Sequence, residues 1–342
     1  MARTKRSVDE LYTEAKQGRR LALGRLLTMV ERGGDPAERI SDLTIPDAGA
    51  AHVVGITGAP GAGKSTLTGR LVADLLTAGR RPAVLAVDPS SPLTGGAILG
   101  DRIRMDESAP AATRFAPPAD TSTAEQVTES PFIRSMATRG HSGGLALAVP
   151  LAVRLFDAMG YDPVIIETVG VGQVEVDVVG AADTAVVVMT PGMGDAVQAN
   201  KAGLLEVADV FVVNKADRPG ANDVRRDLEL MLDLSHMTGQ EDEEGYRPPI
   251  VMSSALEGQG SEEVWKTVED HLAFLDQTGR RQVRRRHRIT VEIRARADQT
   301  LGSRLDDAMQ SDVGIDLIGR VERGELSPSA ASNHLLRQLS GS

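Results

Sequence analysis

The chain contains no cysteine. That excludes a disulfide framework, thiolate metal sites and redox thiols. Aromatic residues make up only 3%, with one Trp, three Tyr and five Phe, too few for base-stacking platforms. Lysine is also scarce, with six in the chain. No apolar run approaches the roughly 20 residues needed to cross a bilayer. The opening MARTKRSVDELYTEAK turns polar at once and lacks an apolar signal core. Positive charge is in deficit: Lys and Arg total 38 against 48 Asp and Glu, a formal charge of -10. An acidic chain is not a general nucleic-acid binder. These absences lead us to expect a cytoplasmic protein without nucleic-acid or membrane partners. What is present is ordinary globular material, with 41% hydrophobic and 25% charged residues in 342. That length buries a substantial core without staples. The 35 glycines point to many tight loops near a ligand.

The patterning changes twice along the chain. In residues 1–48, Leu11, Leu21, Leu23, Leu26, Leu27 and Val30 recur at helical spacing, and prolines at 36 and 46 mark breaks. Residues 49–277 alternate short β-branched runs with helical stretches. The strands expected are VVGIT (53–57), AVLAVD (83–88), VIIET (164–168), TAVVVMT (184–190), VFVVNK (210–215) and IVMSS (250–254). Helices are expected at 64–78, 145–159, 195–207, 220–237 and 260–276. Nearly continuous apolar strands imply a parallel sheet covered on both faces. The fold expected is therefore α/β, a mostly parallel sheet flanked by helices, with a helical N-terminal segment and a C-terminal helical arm. The arm covers 278–342, with Leu301, Leu305, Ile315, Leu317, Ile318 and Leu335 spaced like a helix face. The basic run at 280–288 reads as a solvated helix joining arm to core. Residues 89–131 are the least regular stretch, rich in Pro, Gly, Ser and Thr, and loops of that length are usually functional.

Residues 58–66 read GAPGAGKST and satisfy G-x-x-x-x-G-K-[ST] between a strand and a helix. Glycines let the backbone of Gly58, Ala59, Pro60, Gly61, Ala62 and Gly63 wrap close to phosphates. The amides of Ser65 and Thr66 at the helix N-terminus face negative charge. Lys64 reaches the β- and γ-phosphates, and the Ser65 hydroxyl can bind Mg²⁺.

A second loop reads Asn214-Lys215-Ala216-Asp217 at a strand end. Guanine presents two adjacent donors that one carboxylate, Asp217, can accept. Adenine offers an acceptor there and would leave the carboxylate without a partner. Asn214 braces the loop, and the Lys215 stem can lie on the base plane. Ser253, Ser254, Ala255 and Leu256 form a further strand end that resembles the S-A-L/K loop supporting guanine through backbone amides. The bound nucleotide expected is GTP or GDP.

Three acids stand where a Mg²⁺–phosphate site needs them. Asp88 ends the second strand, Asp101 lies in GGAILGDRIRM, and Glu167 ends the third strand in IIETVGVGQ. Strand ends bind ligands in open α/β sheets, and one or two carboxylates suffice for Mg²⁺. With Lys64, Asp101 and Glu167 are the candidates for the chemistry. Glu167 to Gly170 forms E-x-x-G, which resembles the D-x-x-G element of GTPases with Glu in place of Asp, so that Gly170 could donate its amide to the γ-phosphate. Gln173 could orient water, and Arg102 or Arg104 could serve as an arginine finger in cis.

Taken together, GAPGAGKST, VDPSSP with GGAILGDRIRM, FIRSMATRGHSGGL, IIETVGVGQVE, TPGMGDAVQANKAGLLEVAD, NKAD and SSAL resemble the MeaB/ArgK family of P-loop GTPases, from about residue 10 to 335. The resemblance implies a Mg²⁺-dependent GTPase that guards or reactivates adenosylcobalamin-dependent methylmalonyl-CoA mutase and gates its cofactor loading. It also implies a homodimer with the C-terminal arm at the contact. A further switch at 190–207 would relay nucleotide state, with Asp195, Gln198 and Lys201 as its polar members. Three alternatives stand beside this reading. One is a P-loop ATPase or kinase linked to basic amino-acid transport, which fits the guanine-reading loop poorly. Another is a metal-insertion GTPase, whose expected Cys/His clusters are missing, since the six histidines are isolated. The third is a module that uses nucleotide only as a structural ligand.

Overall fold

The computed structural model describes residues 6–88, 130–137, 144–168, 182–192, 207–237 and 246–340. Within these lie seven strands and ten helices. The strands are β1 (Val53–Gly58), β2 (Ala83–Asp88), β3 (Phe132–Ala137), β4 (Val164–Thr168), β5 (Thr184–Met189), β6 (Val210–Asn214) and β7 (Ile250–Ser253). They form one sheet in the order β3-β2-β4-β1-β5-β6-β7. Every pairing is parallel, with Ile56 opposite Glu167 and Gly58 opposite Val188.

Because side chains alternate along a strand, each strand feeds two cores. Val54, Ile56, Val84, Ile165, Val186, Val188 and Val212 pack on one face against α4 (Lys64–Thr77) and α7 (Ser261–Thr278). On the other face, Val53, Leu85, Val87, Val164 and Ile166 meet the N-terminal helices and α5 (Gly144–Ala158). Val187, Met189, Phe211 and Val213 pack on that side against α6 (Ala221–Met237). Burial of both faces explains why these strands read as unbroken apolar runs.

The N-terminal segment is three helices, α1 (Val8–Lys16), α2 (Arg20–Arg32) and α3 (Asp35–Thr44). Ser7 opens α1 in a capping box with Glu10, the Ser-x-x-Glu signature of a helix start. Leu11, Leu23, Leu26, Leu27 and Val30 are buried as their spacing predicts, but Leu21 is 81% exposed. It falls on the solvent side of α2, so its place in the apolar series is corrected.

Strand β3 is absent from the expectations above. Its run, FIRSMA, is interrupted by Arg134 and Ser135, so it lacks the continuous apolar signature. Those residues suit an edge strand. Arg134 pairs with Glu31 of α2 at 2.5 Å. Arg20 of α2 donates to the carbonyls of Ser130 and Pro131 and lies over the Phe132 ring. Phe132 in turn meets Phe156 and Tyr161.

The chain divides after Arg286 into two compact units. Helix α8 (Arg280–Gln310) begins in the first and continues into the second, which also holds α9 (Asp312–Glu322) and α10 (Pro328–Ser340). The basic run is helical, yet one side of it is not solvated. Arg281 donates to the carbonyls of Ala50 and Ala51, Arg285 to that of Gly49, and Arg284 to the carbonyl of Asp183 and both oxygens of Asp209. An arginine count alone does not reveal the buried Asp209 carboxylate that receives Arg284 or the main-chain carbonyls that receive Arg281 and Arg285. In the second unit Leu317, Ala331 and Leu335 are buried, with Leu305 partly buried beside them. Leu301, Ile315 and Ile318, expected on the same face, are exposed, because the short core closes on a narrower stripe.

Leu27 is fully buried where α2 meets the sheet-covering core. Leu27→Ala should cost about 2–5 kcal/mol, read as a lowered urea midpoint of the first unit's transition.

Candidate nucleotide site

The site is built at the C-terminal ends of the strands. Strand β1 ends at Gly58, whose φ is +146° and where a Cβ would collide with the Val188 carbonyl of β5. Only glycine lets the two strands stay paired while the chain turns away. The loop continues through Gly61 and Gly63, both left-handed, and a Cβ at Gly63 would strike the Asn214 amide. Ala62 N–H bonds back to the Ala59 carbonyl at 3.1 Å, closing the turn around Pro60. Helix α4 then starts at Lys64 with no side-chain cap on its first amides. Uncapped amides and the helix dipole are the ordinary means of holding phosphate.

Lys64 is buried, and its Nζ donates to the carbonyls of Gly58 at 2.7 Å and Ala59 at 3.2 Å. The ammonium thus lies folded over the loop it belongs to. Ser65, on the first turn of α4 beside Thr66, donates its hydroxyl to Glu167 Oε1 at 2.5 Å. Glu167 is 5% exposed and sits between β1 and β2, opposite Ile56 and Ala86. Behind it, the hydroxyls of Thr168 and Thr57 are 3.0 Å apart. A serine hydroxyl and a carboxylate at one helix start are hard oxygen donors of the kind Mg²⁺ takes. Asp88 ends β2, but its side chain lies outside the described residues. Asp101, Gly170, Gln173, Asp195, Gln198, Lys201, Arg102 and Arg104 also lie outside them.

The second loop follows β6. The Asn214 side chain is 2% exposed and works at both ends. Its Nδ2 donates to the Ala62 carbonyl at 2.9 Å, while its Oδ1 accepts from Ala255 N–H at 3.1 Å. Lys215 adopts φ +59°, uncommon for a residue with a side chain and typical of functional turns. Its Nζ donates to the Gly61 carbonyl at 2.7 Å, so the lysine stem spans from one loop to the other. Asp217 accepts from the Ser254 hydroxyl at 2.6 Å. That bond holds its carboxyl below the usual aspartate range, so the group is ionised and oriented at neutral pH. Ser253 donates its hydroxyl to the Gln259 carbonyl, and Ser254 pairs its backbone with Gln259. Leu256 is 79% exposed at the tip of that loop. The sequence predicts that the serine–alanine–leucine stretch acts through backbone amides. The structure adds a side-chain role for Ser254, which a four-residue motif without its partner could not reveal. Nor does a motif signal that Gly63 must lack a Cβ to admit the Asn214 amide.

A parallel sheet that ends in these two joined loops defines a P-loop nucleotide-binding enzyme of the GTPase class. The family described as methylmalonyl-CoA mutase-associated GTPase MeaB matches residues 23–310. A protein of Pyrococcus abyssi named for GTPase activity is 42% identical over 334 residues, 98% of this chain and 97% of that protein. The GTPase ArgK of Escherichia coli is 35% identical over 297 residues, 86% of this chain and 84% of that one. Among solved structures, a crystal structure of LAO/AO transport system kinase superposes with a TM-score of 0.66 at 25% identity, covering 97% of both chains. The chain belongs to the MeaB family of P-loop GTPases.

Asn214→Ala would leave buried carbonyl and amide groups without their partners. It should destabilise the nucleotide-free protein by about 2–4 kcal/mol, measured by chemical denaturation.

Proposed function

We propose that this chain hydrolyses GTP to GDP and phosphate with Mg²⁺. The observation that carries the reading is the physical connection of the two loops. Asn214 and Lys215 hold the phosphate loop through the carbonyls of Ala62 and Gly61. Three residues on, Asp217 presents an ionised carboxylate for a base with two adjacent donors. In the loop from Gly58 to Thr66, the backbone amides of Gly61, Gly63, Lys64, Ser65 and Thr66 take the phosphates, and Lys64 Nζ exchanges the Gly58 and Ala59 carbonyls for phosphate oxygens. Ser65 and Glu167 would hold Mg²⁺, with Asp88 and Asp101 as further ligands. The ion, when bound, neutralises phosphate charge. Hydrolysis adds water to the γ-phosphorus and breaks its bond to the bridging oxygen. GDP leaves with the electron pair, and the water's proton is released.

The family description further supports a partnership with methylmalonyl-CoA mutase. In this reading the chain guards or reactivates that adenosylcobalamin enzyme and gates cofactor loading. Gly170, Gln173, Asp195, Gln198 and Lys201 respond to the γ-phosphate. The chain works as a homodimer through residues 278–342, where Ile289, Ile293, Leu301 and Ile315 are exposed apolar side chains. The alternative of a kinase tied to amino-acid transport is disfavoured by Asp217, which adenine would leave without donors.

Steady-state phosphate release with Mg²⁺ and GTP or ATP tests this proposal, with and without the mutase. GTP turnover that the mutase alters is expected. ATP turnover equal to GTP turnover would refute the base assignment. Lys64→Ala should weaken GDP binding on the order of 10- to 100-fold, and unchanged affinity contradicts its role. Asp217→Asn should exchange guanine for xanthine preference by about 100-fold, measured as the ratio of GDP to XDP dissociation constants.

A further inference from the structure

The opposite edge of the sheet, where the strands begin, carries a buried row of polar groups that the nucleotide site does not use. His52 precedes β1, Thr184 opens β5, His271 lies on α7 and Asp209 precedes β6. All four are 5% exposed or less. His52 Nε2 is 2.9 Å from Thr184 Oγ1, which is 2.9 Å from His271 Nδ1. His271 Nε2 faces Asp209 Oδ1 at 3.4 Å. Asp209 also accepts Ala185 N–H at 2.8 Å and both guanidinium arms of Arg284 at 2.7 Å. The row therefore runs from the start of β1 to the first turns of α8.

Its hydrogens can be assigned. Asp209 Oδ1 lies 3.4 Å from His271 Nε2 without hydrogen-bond geometry, and its negative charge favours the proton on that nitrogen, which leaves Nδ1 as the acceptor. The Thr184 hydroxyl then donates to His271 Nδ1 and accepts from His52 Nε2–H. Every group has one consistent role only while His271 is neutral, whereas a proton on the other nitrogen of His52 leaves its Nε2–H donation to Thr184 intact. A proton added at His271 Nδ1 turns it into a donor aimed at Thr184 and leaves that hydroxyl's own hydrogen without its acceptor. The resulting cation also competes with Arg284 for Asp209.

We infer that this row is a proton-operated latch: with His271 neutral it fixes the first turns of α8 to the strand starts, and a proton on His271 Nδ1 releases residues 280–286 from them. The charged surroundings are mixed. Asp183 and Asp162 favour a cation at His52, while Arg281 and His271 oppose it. Asp209 and Asp183 favour one at His271, while Arg284 and Arg280 oppose it. Tyr246 packs its ring on His271, and Trp265 lies 6.2 Å from His52. Burial outweighs the aspartates and pushes His52 down to about 4, with His271 also below its ordinary value. The released form binds protons more readily than the docked one. Docking is thus complete above the ordinary histidine value near 6.5 and weakens as the pH falls from there through the lowered value of His271.

Two measurements on the full chain test the latch. Long-range proton–nitrogen NMR of the six histidines should show His52 and His271 neutral at about pH 7, each with its hydrogen on Nε2, and both titrating below the ordinary histidine value. Titration of His271 at or above about 6.5, or a hydrogen on His271 Nδ1 at about pH 7, overturns the proposal. The absence of native cysteine allows a nitroxide to be placed at exposed Gln282 through Gln282→Cys. Its spectrum should sharpen between about pH 7.5 and pH 5 while far-UV ellipticity stays constant, and His271→Gln should remove the change. An unchanged spectrum, the same sharpening in both His271→Gln and His52→Gln, or concurrent loss of ellipticity would each contradict a local latch. If the variants do not fold, the ring titrations and the label in the otherwise native chain still decide.

Discussion

The Asn214 side-chain amide donates to the Ala62 carbonyl and accepts from Ala255 N–H, fixing three loops at one separation. The phosphate loop, the loop after β6 and the loop after β7 come from distant parts of the chain. None of them is regular secondary structure that could position itself. A short buried amide with both ends engaged supplies a constraint that a solvated side chain would not. The glycines serve that constraint. Gly63 lacks a Cβ where the Asn214 amide must pass, and Gly58 lacks one where β5 must stay paired. Asp217 then inherits a defined position, held by Ser254 from the third loop.

The sheet explains why such a small contact suffices. Parallel strands deliver Glu167, the phosphate loop and Asn214 to one edge, and apolar side chains fill both faces behind them. Rigid strands with polar ends are the general plan of open α/β sites.

Much of this was legible in the sequence, for stated reasons. Six strands stand within one residue of their expected bounds, because burial on both faces leaves an apolar run with few interruptions. The phosphate loop was legible because its chemistry requires glycines, lysine and serine at fixed spacing. β3 was not, because an edge strand carries Arg134 for a contact with α2 that no local pattern encodes. Leu21, Leu301, Ile315 and Ile318 have helical spacing, yet they face solvent. Periodicity gives a face, but tertiary packing decides its width. The arginines at 281, 284 and 285 read as solvated charge, while their partners, the Asp209 carboxylate and four main-chain carbonyls, are scattered over 160 residues of chain. The Ser254 contact with Asp217 was hidden likewise, since only the fold brings the two loops together.

The central claim is that one pocket grips a guanine nucleotide by its phosphates and its base at once. Calorimetric titration of the nucleotide-stripped chain with Mg²⁺ and GDP, and separately with Mg²⁺ and ADP, tests it most directly. The account expects saturable one-site heat with GDP and binding of ADP at least ~100-fold weaker. No heat with GDP, or equal affinity for the two, would contradict it.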